Sequence, residues 1–220
     1  RQAKSINYGK FLPAGQTTQM IVGASPESDG QIVRLTQSLY KKYSLKRVYY
    51  SSYIPANDKN PNLPVKPVGL LREHRLYQAD WLLRFYGFSA SEILDEDENL
   101  AEEYDPKCGW ALKHPEFFPV EINSAPPETL VRVPGIGFKS AYKIVSARRY
   151  HSLYFSDLEK MRVVMKRAKH FITCNGKFFG IDDDIKIKGL LAIESKNEFA
   201  TQLSLFSSPE ISTSALLGEL

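Results

Sequence analysis

Val133-Pro134-Gly135-Ile136-Gly137 joins two stretches of helical character and decides how they meet. Pro134 fixes φ, and glycines at 135 and 137 allow conformations and close approaches that a Cβ would block. Upstream, Asn123-Ser124-Ala125-Pro126-Pro127 opens a short helix that runs through Leu130 and Arg132. Ser124 is its expected N-cap, with the prolines tolerated in the first turn. Downstream, a second helix starts near Phe138 and carries Ala141, Ile144, Val145 and Arg148. Its first amides lack intrahelical acceptors and stand at the positive end of the helix. With the two glycines they form an anion site of the size of a phosphate. Lys139 and Ser140 occupy that first turn, Lys143 follows one turn on, and Ile136 is expected to pack inward. A tight helix–helix turn with no ligand is the alternative.

The distribution of charge says more than the net charge of +4. Between residues 91 and 121 ten acids face only Lys107 and Lys113, whereas between 130 and 177 eleven bases face only Asp157 and Glu159. A basic segment around a phosphate-sized site reads as the footprint of a polyanion. Two solvated faces that attract each other would give the same asymmetry.

The apolar-Pro-Gly-apolar-Gly core, Val133 to Gly137, with Ala141 four residues after the second glycine, resembles the helix-hairpin-helix family. Phe155, Asp157 and Leu158 are similar to the start of that family's following helix, and the resemblance covers residues 123 to 177. It implies sequence-nonspecific DNA binding through the phosphate backbone, by Pro134, Gly135, Ile136, Gly137, Lys139, Ser140 and Lys143.

The first third has a different rhythm. Thr17 to Gly23 reads as a buried strand and Lys46 to Tyr53 as a second strand. Between them, Ser28 and Gln31 form a capping box ahead of a helix with Ile32, Leu35 and Leu39 on one face. Strand, helix and strand in that order make a βαβ unit with a parallel pair. A lone parallel pair is a poor fold, so the unit reads as part of a larger sheet or barrel. The absence of an initiator Met points the same way. Leu70 to Tyr86 is a helix ended by Gly87, and the acidic stretch from Asp95 to Asp105 is a solvated helix or loop. Arg72, His74 and Arg75 either face a substrate or pair with Glu73 and Asp80 along their own helix. No internal repeat is visible.

Met20-Ile21-Val22-Gly23-Ala24-Ser25-Pro26-Glu27 resembles a late strand and loop of the radical S-adenosylmethionine enzymes. Leu71-Arg72-Glu73-His74-Arg75-Leu76-Tyr77-Gln78-Ala79-Asp80-Trp81, followed by the Pro134 turn, is similar to a subfamily described as DNA modification or repair radical S-adenosylmethionine proteins. The likeness spans residues 10 to 177 and implies a cofactor-binding role for Gly23 and Glu27. The family holds a [4Fe–4S] cluster on three cysteines in a Cys-x₃-Cys-x₂-Cys run. This chain has only Cys108 and Cys174, so no cofactor is expected in it. The cluster and S-adenosylmethionine belong to a longer parent protein, and no catalytic residue is assigned here.

Residues from about 194 onward are rich in Ser, Thr and Glu and are expected to lack a fixed structure. Within them, Gln202-Leu203-Ser204-Leu205-Phe206 resembles the pentapeptide by which bacterial replication and repair proteins dock on the sliding clamp, with Gln202, Leu203, Leu205 and Phe206 as the partner-binding residues.

The expected fold class is α+β, a βαβ remnant of a radical S-adenosylmethionine barrel followed by a mainly helical helix-hairpin-helix domain. The expected divisions are 1–60 barrel-like α/β, 61–120 helical connection with the acidic segment, 121–177 DNA-binding domain and 178–220 extension. Two unpaired cysteines and no apolar run of membrane-spanning length indicate a cytoplasmic protein without a membrane partner. Three functions compete: the DNA-binding part of a radical enzyme, a non-enzymatic module that tethers partners on DNA, and a fragment of an RNA-modifying enzyme.

Overall fold

The computed structural model describes residues 14–55, 63–181, 183 and 185–192. The chain is of mixed α+β type and divides into two compact units, Arg1–Leu83 with Ser89–Leu100, and Arg84–Phe88 with Ala101–Leu220.

In the first unit, the β-branched and long apolar residues of Thr17–Val22 form strand β1, and Arg47–Ser52 forms β2. The two are parallel, in register from Thr17 opposite Arg47 to Val22 opposite Ser52. Helix α1, Asp29–Tyr43, crosses between them and completes the expected βαβ unit. Ser28 caps it, its hydroxyl accepting from the Gln31 amide while the Gln31 side chain accepts from the Ser28 amide. The buried face of α1 is Ile32, Val33 and Thr36, whereas Leu35 is exposed. The expected Ile32-Leu35-Leu39 stripe therefore gives way to a face that meets Tyr50, whose hydroxyl shares a 2.8 Å hydrogen bond with Thr36.

Side chains close the edge of β2 away from β1. The amide of Val48 donates to Tyr40 Oη at 3.0 Å and that of Ser52 to Glu73 Oε2 at 2.7 Å. Tyr77 Oη accepts from the Tyr50 amide and donates to the Tyr50 carbonyl, each at 3.0 Å. Tyr77 and Glu73 come from helix α2, Leu70–Phe85. Backbone groups that a third strand would satisfy are met by helix side chains instead. Glu73 is thus engaged with the sheet, and Arg72 reaches Asp29 at 2.7 Å rather than an acid on its own helix. Asp29 is buried. Its second oxygen accepts from the Leu100 amide at 3.0 Å, and its own amide donates to Asn99 Oδ1. Gly30 lies against the backbone of the acidic segment, where a Cβ would strike the Asp95 carbonyl oxygen. Ahead of that segment, which forms bends and turns, lies the short helix α3, Ala90–Ile93.

In the second unit, helix α4, Pro106–Lys113, starts on an Asp105 cap and a first-turn proline. Trp110 is buried, with the rings of Phe88, His114 and Phe117 each within 5.3 Å of its own. A short 3₁₀ turn, Pro115–Phe117, leads to strand β3, Val120–Glu121. Then follow helices α5, Pro127–Leu130, α6, Phe138–Ala147, α7, Phe155–Lys160, and α8, Met165–Ala168. Helix α5 begins at Pro127, later than expected, and Ser124 does not cap it. Asn123 is held by Leu153, giving its Nδ2 to the carbonyl at 3.1 Å and taking the amide at 2.8 Å, so a turn precedes the helix. Strand β4, Ile172–Cys174, is parallel to β3 and antiparallel to β5, Lys177–Phe178. Asn175 and Gly176 both have positive φ, the signature of a tight hairpin. Residues 185–192 are helical, with Ile187 and Leu191 buried. The core is Ile122, Leu130, Ile136, Ile144, Leu153, Leu158 and Ile172.

Candidate functional site

Helix α5 and helix α6 are joined by the Val133–Gly137 turn, and each residue of the turn has a distinct local cause. Pro134 and Ile136 are buried, and the Ile136 amide donates to the Val133 carbonyl at 3.1 Å. Gly135 has φ +82°, and a Cβ there would lie 2.5 Å from the Val164 carbonyl oxygen. Its carbonyl accepts from the Val164 amide at 2.9 Å. The glycine at 135 is therefore demanded by packing of the chain on itself. Gly137 is different. Its φ of −86° suits any residue, and a Cβ there would meet only Tyr86 Oη, at 3.7 Å.

Gly137 is the N-cap of α6 and offers no side chain to the helix amides. Its carbonyl accepts from the Ala141 amide at 2.9 Å. Among the described residues, no acceptor meets the amides of Phe138, Lys139 or Ser140. Lys139 and Lys143 are exposed on this helix. Ser140 is buried, and its Oγ lies 3.1 Å from the Met161 carbonyl oxygen and 3.2 Å from that of Arg162. A hydroxyl has one proton, and here it holds the end of α7 rather than facing solvent. The turn thus brings together Gly137, Lys139 and Lys143, while Pro134, Gly135, Ile136 and Ser140 shape it from within.

Sequence reasoning missed a cation beneath the turn. Lys107, on α4, donates from Nζ to the Ile136 carbonyl at 2.6 Å, and Nζ sits 4.9 Å from the centre of the Tyr86 ring. Burial pulls its pKa down to about 7, against the opposing pull of Asp105. Other bases of the segment are structural. Arg148 donates to the carbonyls of Ile122 and Ala125, at 2.9 and 2.6 Å. Arg167 pairs with Asp105 at 2.9 Å. The guanidinium of Arg132 lies 4.5 Å from the Phe88 ring centre. Lys139, Lys143, Arg149, Lys160, Arg162, Lys166 and Lys177 are exposed.

A second turn, between α7 and α8, repeats the first at constant register. Arg162 has φ +64° where Gly135 has +82°. Buried Val163 stands for Ile136, Met165 for Phe138 as first helical residue, Lys166 for Lys139 and buried Ala168 for Ala141. The sequence hides this repeat because conformation recurs and few side chains do. The Asn175-Gly176 hairpin, by contrast, carries a sequence signal that could have been used. Glu121 binds it. Burial raises the pKa of this carboxyl, but hydrogen bonds from the Gly176, Asn123 and Asn175 amides outweigh that and hold it below the usual range.

In the first unit, Gly23 and Glu27 line one cleft of about 780 Å³, together with Ser28, Lys66 and Arg72. Gly23 has φ +81°, and a Cβ would strike Val68 Cγ2. Glu27 is exposed, and a hydrogen bond with the Ser25 side chain lowers its pKa. Cys108 donates to Asp105 Oδ2 at 3.2 Å and Cys174 to the Leu153 carbonyl at 2.8 Å. A three-thiolate cluster does not fit a chain with two buried thiols. Among the described residues, no group of three His, Cys, Asp or Glu side chains is placed to hold a metal ion. Gln202, Leu203, Leu205 and Phe206 lie outside the described residues.

No family model, no curated protein and no solved structure matches the chain. Among the described residues, no helix is long and apolar enough to cross a membrane.

Proposed function

We propose that this chain binds DNA without sequence preference, through backbone phosphates at the N-terminus of α6, in a helix-hairpin-helix built from α5, the Val133–Gly137 turn and α6. The observation that carries the reading is the pairing of unsatisfied α6 amides with an open Gly137 and exposed Lys139 and Lys143. A phosphate oxygen can approach such amides along the axis, where partial positive charge is concentrated. Phosphate contacts position a protein but read no bases.

The chain is further proposed to be the non-catalytic C-terminal part of a radical S-adenosylmethionine protein of DNA modification or repair. Support comes from the βαβ unit, in which one edge of the pair is closed by Tyr40, Tyr77 and Glu73. Among the described residues the other edge is open: no group meets the outward amides of Thr17, Gln19 and Ile21 on β1. Such an edge is where further strands of a barrel would join. Gly23 and Glu27 would then face S-adenosylmethionine across the cleft at the end of β1.

Fluorescence anisotropy with a labelled duplex tests the DNA reading. Affinity falls steeply with salt, by about 0.9 log units per tenfold rise in salt for each phosphate contact. Gly137→Val, whose Cβ would meet only Tyr86 Oη, abolishes binding. Lys139→Ala removes about one contact from the salt slope. Unchanged affinity in Gly137→Val would refute the assignment. An RNA of the same sequence that outcompetes the DNA would favour an RNA substrate.

A further inference from the structure

Helix α6 buries Ser140, Ala141 and Ile144 and turns its other side to solvent. On that side Phe138 and Tyr142, 61% and 71% exposed, stand four residues apart and form an aromatic stripe. Exposed Arg149 continues it beyond the last turn, beside Tyr150, which is 88% exposed. Lys139 and Lys143 form a parallel stripe next to it. None of the three aromatic rings has a ring partner among the described residues. Core packing does not explain them, since the apolar contribution of α6 is made by Ala141 and Ile144 on the opposite face.

We infer that this face binds unpaired DNA nucleotides, with bases stacked on Phe138 and Tyr142 and their phosphates against Lys139 and Lys143. The inference rests on the proposed DNA binding by the α6 N-terminus and narrows its substrate to duplex DNA that adjoins a single-stranded segment. Two physical points carry it. Aromatic faces alternating with ammonium groups match a strand whose bases and phosphates are both exposed, because every base offers a π-face regardless of sequence. Side chains one helical turn apart are separated by about 5–6 Å at Cβ. Bases within one strand of an intact duplex are only about 3.4 Å apart. The stripe is therefore matched to bases drawn out of the stack. Phe138 is also the first residue of α6, so a strand leaving the phosphate at the helix end meets the ring directly.

The test uses the full chain with three DNAs of one sequence: a blunt duplex, the same duplex with a single-stranded overhang, and the overhang strand alone. The overhang carries a fluorescent purine analogue beside the junction. The overhang substrate is expected to bind about tenfold more tightly than the blunt duplex, with quenching of the analogue on binding. Tyr142→Ala removes most of that preference and the quenching and leaves blunt-duplex affinity unchanged, and Phe138→Ala likewise removes the preference and the quenching. Tyr142→Trp retains both. Equal affinity for blunt and overhang DNA, or equal losses on both in the alanine variants, would overturn the inference while leaving phosphate binding intact. An overhang of RNA that binds more tightly than that of DNA would overturn it too. A wild-type chain that binds none of the DNAs refutes the underlying reading instead.

Discussion

The ammonium of Lys107 lies 2.6 Å from the carbonyl oxygen of Ile136 and so ties helix α4 to the turn ahead of α6. That carbonyl sits one residue before the N-cap, on the side where Tyr86 approaches Gly137. A cation from outside the turn thus backs the candidate phosphate site.

Lys107 makes stability depend on pH. Its folded pKa is pulled from 10.5 to about 7, first by burial. Above pH 7 the unfolded chain holds a proton there that the folded chain has lost, so stability rises as the pH rises. Below pH 7 both states are charged and this lysine adds no slope. The urea midpoint is expected to increase from pH 7 to about 8.5, and to increase less in Lys107→Met. Above that window the slope turns, since burial raises both the Cys108 and the Cys174 thiols, and the two protons the folded state keeps there outweigh the one it has lost from Lys107. Equal slopes in the two proteins would remove Lys107 as the source.

The two glycines of the turn should separate in a stability measurement. Gly135→Ala meets left-handed strain and a collision with the Val164 carbonyl, costing about 3 kcal/mol together. Gly137→Ala meets only an ordinary van der Waals contact with Tyr86 Oη and costs within about 1 kcal/mol, the difference between a fair and a poor N-cap. Thermal denaturation of both variants decides this, and similar losses would contradict the packing described for Gly135.

Removing Arg72 should weaken the first unit. Arg72→Met leaves the buried Asp29 carboxylate without its guanidinium, at a cost of about 2–4 kcal/mol. The Leu100 amide still serves the other oxygen, which limits the loss. Arg72→Met combined with Asp29→Asn should recover part of it. A double variant less stable than Arg72→Met alone would show that the pair is not what Arg72 supports.

Anaerobic reconstitution with iron and sulfide should give no charge-transfer absorbance, because two cysteines cannot supply three thiolates. Stoichiometric cluster formation with cleavage of S-adenosylmethionine would overturn the reading of this chain as a part without the cluster site.

A peptide of residues 198–210 should bind a bacterial sliding clamp with micromolar affinity, about −8 kcal/mol. Leu205 and Phe206 would fill an apolar pocket while Gln202 meets its polar rim. Leu205→Ala with Phe206→Ala should abolish the heat of binding and leave DNA binding by the whole chain unchanged. Calorimetry without heat for the native peptide would discard this partner.

Short-range physics was legible in the residues. The Ser28–Gln31 capping box and the helix ended at Gly87 depend on neighbours a few positions apart, the βαβ order follows from the succession of elements along the chain, and the structure has all three. The turn at Pro134–Gly137 was equally legible as a turn, since proline and glycine act through their own backbone. Long-range partners were not. Nothing local says that the Ser140 hydroxyl is turned inward to Met161 and Arg162, that Arg72 reaches Asp29, or that Gly135 is required by Val164. Nor does any local pattern say that Tyr77, Glu73 and Tyr40 take the place of a strand beside β2. The sequence by itself determined where backbone freedom is gained or lost. The tertiary structure alone decided which polar groups are satisfied from within, because a hydrogen bond's partner is chosen by proximity in space and not by distance along the chain.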